Sequence, residues 1–291
     1  MTPEERVDVC RQTREKASQA VLSVLKALSS PSEKEFAGAL WSEVAKSQEL
    51  HERGWYDPPP QGAAVLFAST NSLDRLLFDT LRKEKFWPSQ DFKFTKDSVG
   101  FVYLSPVHRA AGIIGDFAVT IYNGSDRKIQ NHIARCLALV EKVVAYAEVG
   151  MEFREIHDVA QKLLSEEKLS NARTLTYTDT VGTNIGHTIP WTYENPTLEE
   201  EEIIKNGDFE TLKNLISKKR VNLNKEESFK IPNTIAFTVE LRIEDPVDPA
   251  VPNIYFHLIV SFKNGVKNVV ANFSEVFGEM GMDSYLISRH G

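Results

Sequence analysis

The sequence predicts an α+β fold built from a duplicated half, and three observations carry that expectation. Two helix–breaker–helix stretches, Leu28–Phe36 and Glu148–Ile156, lie about 120 residues apart. Each places an acidic residue in the first turn of its second helix, and each is followed by short apolar runs of strand length. The 291 residues therefore read as one domain, with a first half at about 1–122 and a second at about 123–280. A helical insertion at about 197–230 accounts for much of the extra length.

The elements follow in order. Val21, Val24, Leu25 and Leu28 recur at helical spacing over residues 4–28, and Pro31 stops the run. Ser32, with Glu35 three residues on, caps a second helix through Phe36, Leu40, Trp41 and Val44 that fades near Gly54. Tyr56–Pro60 is a stiff connector. Ala63–Ala68, Phe101–Leu104 and Ile113–Ile121 read as strands, and Asn71–Phe86 as a helix between them. Ile129–Ala147 and Phe153–Leu164 form the second helix pair, broken at Gly150. Thr174–Ile185, Thr234–Arg242, Ile254–Phe262 and Val266–Val270 read as strands, with Lys263–Gly265 as a hairpin turn. Inside the insertion, Leu198–Lys205 and Phe209–Ser217 read as helices, and Glu199–Glu202 as a solvated helix start.

Composition excludes several function classes. A chain that is 42% hydrophobic and 26% charged can bury a core and is not a disordered polymer. Two cysteines, Cys10 and Cys136, make no disulfide scaffold and favour the cytoplasm. Net charge −7 argues against a nucleic-acid-binding face. No apolar run is long enough to span a membrane, and Met1–Arg14 is charged and helical in character, unlike a secretory signal. The expected partner is a small molecule, with no nucleic acid and no membrane, and the fold leaves room for a homodimer.

Two acids sit inside apolar runs: Asp116 within Ile113–Ile121 and Glu240 within Ile235–Ile243. An ionised carboxylate there needs a metal, a cation or strong hydrogen bonds. A single strand histidine such as His257 is, taken alone, more often a core or rim residue. His132 and His157 fall on helices and read as solvated.

The order of pieces resembles the pita-bread fold of methionine aminopeptidases, proline-specific aminopeptidases and creatinase, the peptidase M24 domain, from residue 10 to about 277. Arg14–Val44 resembles the family's first helix pair and Ile129–Leu164 its second. Ile235–Glu240 is similar to the family's Met-Val-Phe-Thr-Ile-Glu strand. The resemblance implies duplicated helix pairs on a curved antiparallel sheet, and a two-metal site built from Asp, Asp, His, Glu and Glu.

Carried over residue by residue, that site is remodelled. Ser105, Gly112 and Asp116 reproduce the spacing of the two aspartates and their glycine, so the first aspartate is a serine and the second is kept. Glu240 falls on the first glutamate position. The second falls on His257 with a hairpin one residue shorter than usual, or on Phe256 by ungapped counting; His257 is preferred because strand alternation then sends Phe256 into the core with Ile254 and Leu258. The histidine position has two registers, His187 or Thr183, and His187 is preferred because it can ligate a metal. The implied ligands are Asp116, His187, Glu240 and His257. They would hold one divalent ion, with Fe(II) favoured over Mn(II) or Zn(II) because two histidines join carboxylates. Ser105, His108, Thr183, Trp191, Tyr193 and Glu194 are candidate pocket residues, with Arg109 beside His108. No histidine lies in 67–78, and Tyr193 stands where the family has the histidine of its His-Glu-x-Pro motif.

The resemblance with these departures implies a metal-dependent enzyme that is not a peptidase. It would act on a small, amino-acid-like molecule by oxidative or lyase chemistry, with the insertion as a lid. A metal-free peptide- or protein-binding module is the alternative, and residual aminopeptidase activity ranks last.

Overall fold

Thr2 caps the first helix, α1 (Pro3–Ala27), in the computed structural model, which describes residues 1–176 and 179–283. Its hydroxyl accepts from Glu5 N while the Glu5 carboxylate accepts from Thr2 N, so two orphan donors are satisfied reciprocally. Ser32 and Glu35 repeat the device at α2 (Glu33–Val44), as their spacing predicts. In the second half, α3 (Arg127–Tyr146) precedes α4 (Phe153–Glu166), whose start carries the same reciprocal pair, Glu152 with Glu155. The residue before each second helix also makes an isolated antiparallel bridge to a distant lysine, Ser32 to Lys93 and Glu152 to Lys230.

The helix pairs cover two antiparallel sheets. The first has the order β1 (Ala63–Ser69), β2 (Ser98–Leu104), β3 (Phe117–Asn123). The second has the order β4 (Ser170–Asn171), β5 (Ile235–Glu244), β6 (Ile254–Lys263), β7 (Val266–Val270). At the join, Thr120 Oγ1 on β3 donates to Tyr255 O at 3.1 Å and accepts from Tyr255 N at 2.8 Å on β6. One contiguous core runs through both halves, from Val21, Phe36 and Phe67 to Leu139, Phe237 and Phe256. The class is α+β, as expected.

Several expectations give way to tertiary contacts. Helix α2 stops at Val44, because 49–55 lies instead along 105–109: His51 N donates to Val107 O at 2.9 Å and Trp55 N to Ser105 O at 3.0 Å. Residues 71–86 form no helix, only short 3-10 turns at Asp74–Leu76 and Glu84–Phe86. Arg75 is drawn into a buried ion pair with Glu33 at 2.7 Å, and Leu76 O accepts from the Tyr255 hydroxyl rather than from a helical amide. Ile113–Asp116 precedes β3, so Asp116 sits at the strand's shoulder. The strand expected at Thr174–Ile185 is absent among the described residues, and 177–178 lie outside them. The Asp179 carboxylate accepts from the amides of Val181, Gly182 and Asn184 and coils the chain there. His132 and His157 are buried, not solvated; His132 Nε2 lies 3.1 Å from Pro252 O.

The insertion forms α5 (Leu198–Asn206) and α6 (Phe209–Lys219). It is no loose lid. Ile204, Leu212, Ile216 and Leu223 are buried, and 221–223 pairs with 185–188 through Ile185 N to Leu223 O and Thr188 N to Val221 O, both 2.9 Å. A short α7 (Ser274–Glu279) closes over α1. No helix among the described residues is long and apolar enough to cross a membrane.

Candidate metal centre

Strand pairing sets one wall of the site. On β5, Thr238, Glu240 and Arg242 alternate onto one face. Register places Glu240 opposite His257 and Arg242 opposite Tyr255 on β6, so these four share a face. Phe256 points the other way, against Phe273 and Phe277.

His187 arrives from the loop beside β5. Thr238 N donates to His187 O at 2.8 Å, Glu240 N to Ile185 O at 2.8 Å, and His187 N to Thr238 Oγ1 at 3.0 Å. This approach requires Gly186, where an added Cβ would lie 2.0 Å from Thr238 O. Gly186→Ala is therefore expected to cost about 3 kcal/mol, the upper range for overpacking, read by urea denaturation.

Asp116 is set by α1. Gly115 packs on α1 so closely that a Cβ would lie 2.4 Å from Arg14 N. The buried Arg14 guanidinium donates to Asp116 O, to His257 O at 2.5 Å and to Ala271 O at 2.8 Å, fixing the backbone on both sides of the site.

These supports bring Asp116, His187 and Glu240 together, with one ligand atom of each within 4.8 Å of the others. His187 Nε2 lies 3.1 Å from Glu240 Oε1 and 3.4 Å from Asp116 Oδ2. His187 Nδ1 lies 3.0 Å from Thr188 O, which assigns the Nδ1 proton to that bond and turns Nε2 toward the carboxylates. Thr238 Oγ1 donates to Glu240 Oε1 at 2.6 Å. His257 stays outside the group, its Nε2 3.9 Å from Glu240 Oε2.

Burial alone would lower the His187 pKa, but the Glu240 charge and the hydrogen bonds of Asp116 and Glu240 overcome it and raise it to about 9. For Glu240, burial again opposes the charged form. The His257 and His187 charges, with hydrogen bonds from His187 and Thr238, hold it well below the usual carboxylate range. Burial keeps His257 below its ordinary value.

The expected pocket residues lie elsewhere. Ser105 is a strut: its Oγ donates to Gly62 O at 2.9 Å and accepts from Tyr56 N at 3.1 Å. Gly54 and Gly62 press against it, so that an added Cβ would lie 2.2 and 2.6 Å from that oxygen. His108 is half-buried, its backbone bridged to Leu50, and Arg109 is exposed and donates to Leu50 O at 3.0 Å. Thr183 is exposed. Trp191 is buried against Gly112 beneath the insertion and donates to Glu200 at 3.2 Å. Tyr193 packs on Phe229, and exposed Glu194 pairs with Lys219 at 3.0 Å.

The sequence reading missed four residues that do shape the site. The loop pinned by Ser105 delivers Trp55, whose indole Nε1 donates to Asp116 Oδ1 at 2.7 Å. Arg220, at the end of α6, lies over the Trp55 ring at 4.2 Å. Arg242 and Tyr103 complete a cavity of about 70 Å³ that also meets Tyr56, Phe101, His187, Glu240, Tyr255 and His257. Arg242 could have been found, two residues after Glu240 on the same strand face. Trp55 and Arg220 come from a loop and an insertion and left no periodic signal.

The three side chains form a candidate metal-ligand group. Asp116 Oδ2 is buried without a hydrogen bond, and the Nε2 of His187 and the carboxylate of Glu240 converge beside it, a suitable donor set for one divalent metal. Asp116 Oδ1 accepts from Trp55, and position 105 carries a serine in place of a carboxylate.

An Asp–His–Glu group held between duplicated helix-and-sheet halves defines a protein of the aminopeptidase and creatinase fold. The chain belongs to metallopeptidase family M24, whose sequence profile it matches over residues 8–245. No curated protein matches it in sequence. Among solved structures it is similar to an X-Pro aminopeptidase from Thermotoga maritima, at 14% identity and TM-score 0.57, covering 92% of this chain and 61% of that one. A prolidase from Pyrococcus horikoshii gives 11% and 0.59, covering 93% and 63%. A methionine aminopeptidase from Thermotoga maritima gives 11% and 0.55, covering 90% and 96%. The chain thus spans about three fifths of the first two and nearly all of the third. At these identities the likeness is one of fold.

Proposed function

We propose that this protein binds a single divalent ion at Asp116, His187 and Glu240 and acts on a small molecule, not as a peptidase but by oxidative or lyase chemistry. The observation that carries this reading is the Trp55 indole on Asp116 Oδ1, with Ser105 spent on backbone bonds, which together disfavour a second ion. The cavity agrees. About 70 Å³ holds roughly five waters, the scale of a small organic molecule. A bound ion would supply Lewis-acid polarisation of a substrate oxygen. The protein's own share is to orient His187 through Thr188 O and to exclude water with the aromatic walls. With one imidazole and two carboxylates in the tight group, the donors suit Mn(II), Fe(II) and Zn(II) alike. A preference for Fe(II) requires His257 to close its 3.9 Å gap to Glu240. The unpaired, buried Cys10 and Cys136 support a cytoplasmic setting.

A metal-free binding module is the second reading, favoured by the 3.1 Å contact through which a protonated His187 pairs with Glu240 without an ion. Metal analysis by mass spectrometry after reconstitution separates the two. One equivalent, lost in Glu240→Ala, supports the enzyme, and no metal supports the module. Two equivalents, or turnover of Met- or Xaa-Pro peptides, would overturn both. Because Trp55 holds Asp116 Oδ1, Ser105→Asp alone is expected to leave the stoichiometry at one by the same assay.

A further inference from the structure

We propose that the ligand of this cavity is a small carboxylate, held by Arg220 and Arg242 facing the Asp116–His187–Glu240 group; this rests on the small-molecule reading above. Both arginines line the cavity and come from independent elements, α6 and β5. Arg242 is anchored through Nη2 to Asn184 O at 2.5 Å, and its Nε is buried without a hydrogen-bond acceptor. A buried guanidinium N–H without an acceptor is costly, and a carboxylate is its natural partner in bidentate geometry. Arg220 stacks over the Trp55 ring at 4.2 Å and lines the same cavity.

Charge points the same way. The cavity is lined by one carboxylate, Glu240, and two guanidiniums, Arg220 and Arg242. Cations therefore outnumber carboxylates on its walls. A buried excess of positive charge calls for an anion. Arg14 cannot serve it, since its donors face Asp116 O, His257 O and Ala271 O. Tyr56, Phe101, Tyr103 and Tyr255 supply flat apolar walls beside the arginines, suited to a short carbon tail. Glu240 repels a carboxylate, so the ligand's charged end is directed to Arg220 and Arg242. Its other end meets the metal group.

The test is calorimetric titration of pyruvate into the full chain, metal-free and Mn(II)-loaded, with neutral pyruvamide and inorganic phosphate as comparisons. Pyruvate is expected to bind one site at least tenfold more tightly than pyruvamide. Arg220→Met and Arg242→Met should each weaken it at least tenfold while the circular dichroism is unchanged. Arg242→Lys keeps the charge without the fork and should recover only part of the loss. If Arg242→Met does not fold, Arg220→Met on the insertion decides alone. Equal affinity for pyruvamide, full pyruvate affinity in both methionine variants, phosphate binding without pyruvate binding, or no pyruvate binding at all would overturn the proposal. Manganese bound with no pyruvate binding overturns this inference and leaves the metal reading standing. Arginine-dependent pyruvate binding to a protein that takes no metal does the reverse.

Discussion

Arg14→Met is expected to cost about 4 kcal/mol of folding stability and to abolish stoichiometric metal binding. The methionine keeps much of the apolar stem that packs on Phe117 and Phe273. What it removes is the guanidinium that donates to Asp116 O, His257 O and Ala271 O together. Each carbonyl left buried and unpaired costs about 1–3 kcal/mol, so three of them outweigh any relief from burying one less charge. The effect reaches the site because two of those carbonyls belong to residues whose side chains face it. Asp116 sits at the shoulder of β3 and His257 in β6, in different halves, and α1 ties them beside the Thr120–Tyr255 join. Urea denaturation measures the first part and metal analysis the second. Arg14→Lys should recover little, since one ammonium cannot span three carbonyls. A loss under about 1 kcal/mol would mean that the two halves hold their register without this tie.

The sequence made the scaffold legible where chemistry is local. The capping pair of Ser32 and Glu35 is read from three-residue spacing, and its hydrogen bonds form as that spacing requires. Glu240 was visible as an acid inside an apolar strand, and alternation turned His257 to its face. Legibility failed where distant groups compete. A helical pattern of leucines in 71–86 loses to the buried Glu33–Arg75 pair and to Tyr255 taking a backbone carbonyl. Ser105 looked like a weakened ligand, but it is a pin for the loop that carries Trp55. The loss of a carboxylate and the arrival of an indole on Asp116 are one rearrangement, and spacing records only the first half of it. Trp191 and Tyr193 stood next to His187 in sequence and still missed the cavity. The chain turns at Trp191, whose φ of 61° directs it under the insertion.

His187→Ala is expected to remove the bound ion and to change how the metal-free protein responds to pH. In the fold the imidazole pKa is raised from 6.5 to about 9. The linked stability is therefore fully present below about pH 6.5 and disappears as pH rises through about 9. A shift of that size corresponds to about 3 kcal/mol. Metal-free wild type should thus lose stability between those values in urea titrations, whereas His187→Ala should start lower and stay nearly flat there. On the acid side Glu240 dominates. Its lowered pKa contributes stability above its ordinary value of 4.5 that is lost as pH falls through the folded value, so the metal-free protein should be most stable at about pH 5–6.5. Coordination uses the same Nε2 lone pair that the proton holds, because Nδ1 is committed to Thr188 O. Metal uptake at pH 7 should then release about one proton per ion, read from calorimetry in buffers of different ionisation enthalpy, and affinity should rise with pH up to about 9. A wild-type protein that binds metal without releasing a proton would show that Nε2 is not a ligand. A His187→Ala protein with the wild-type pH slope would show that the proton stabilising this cluster resides elsewhere.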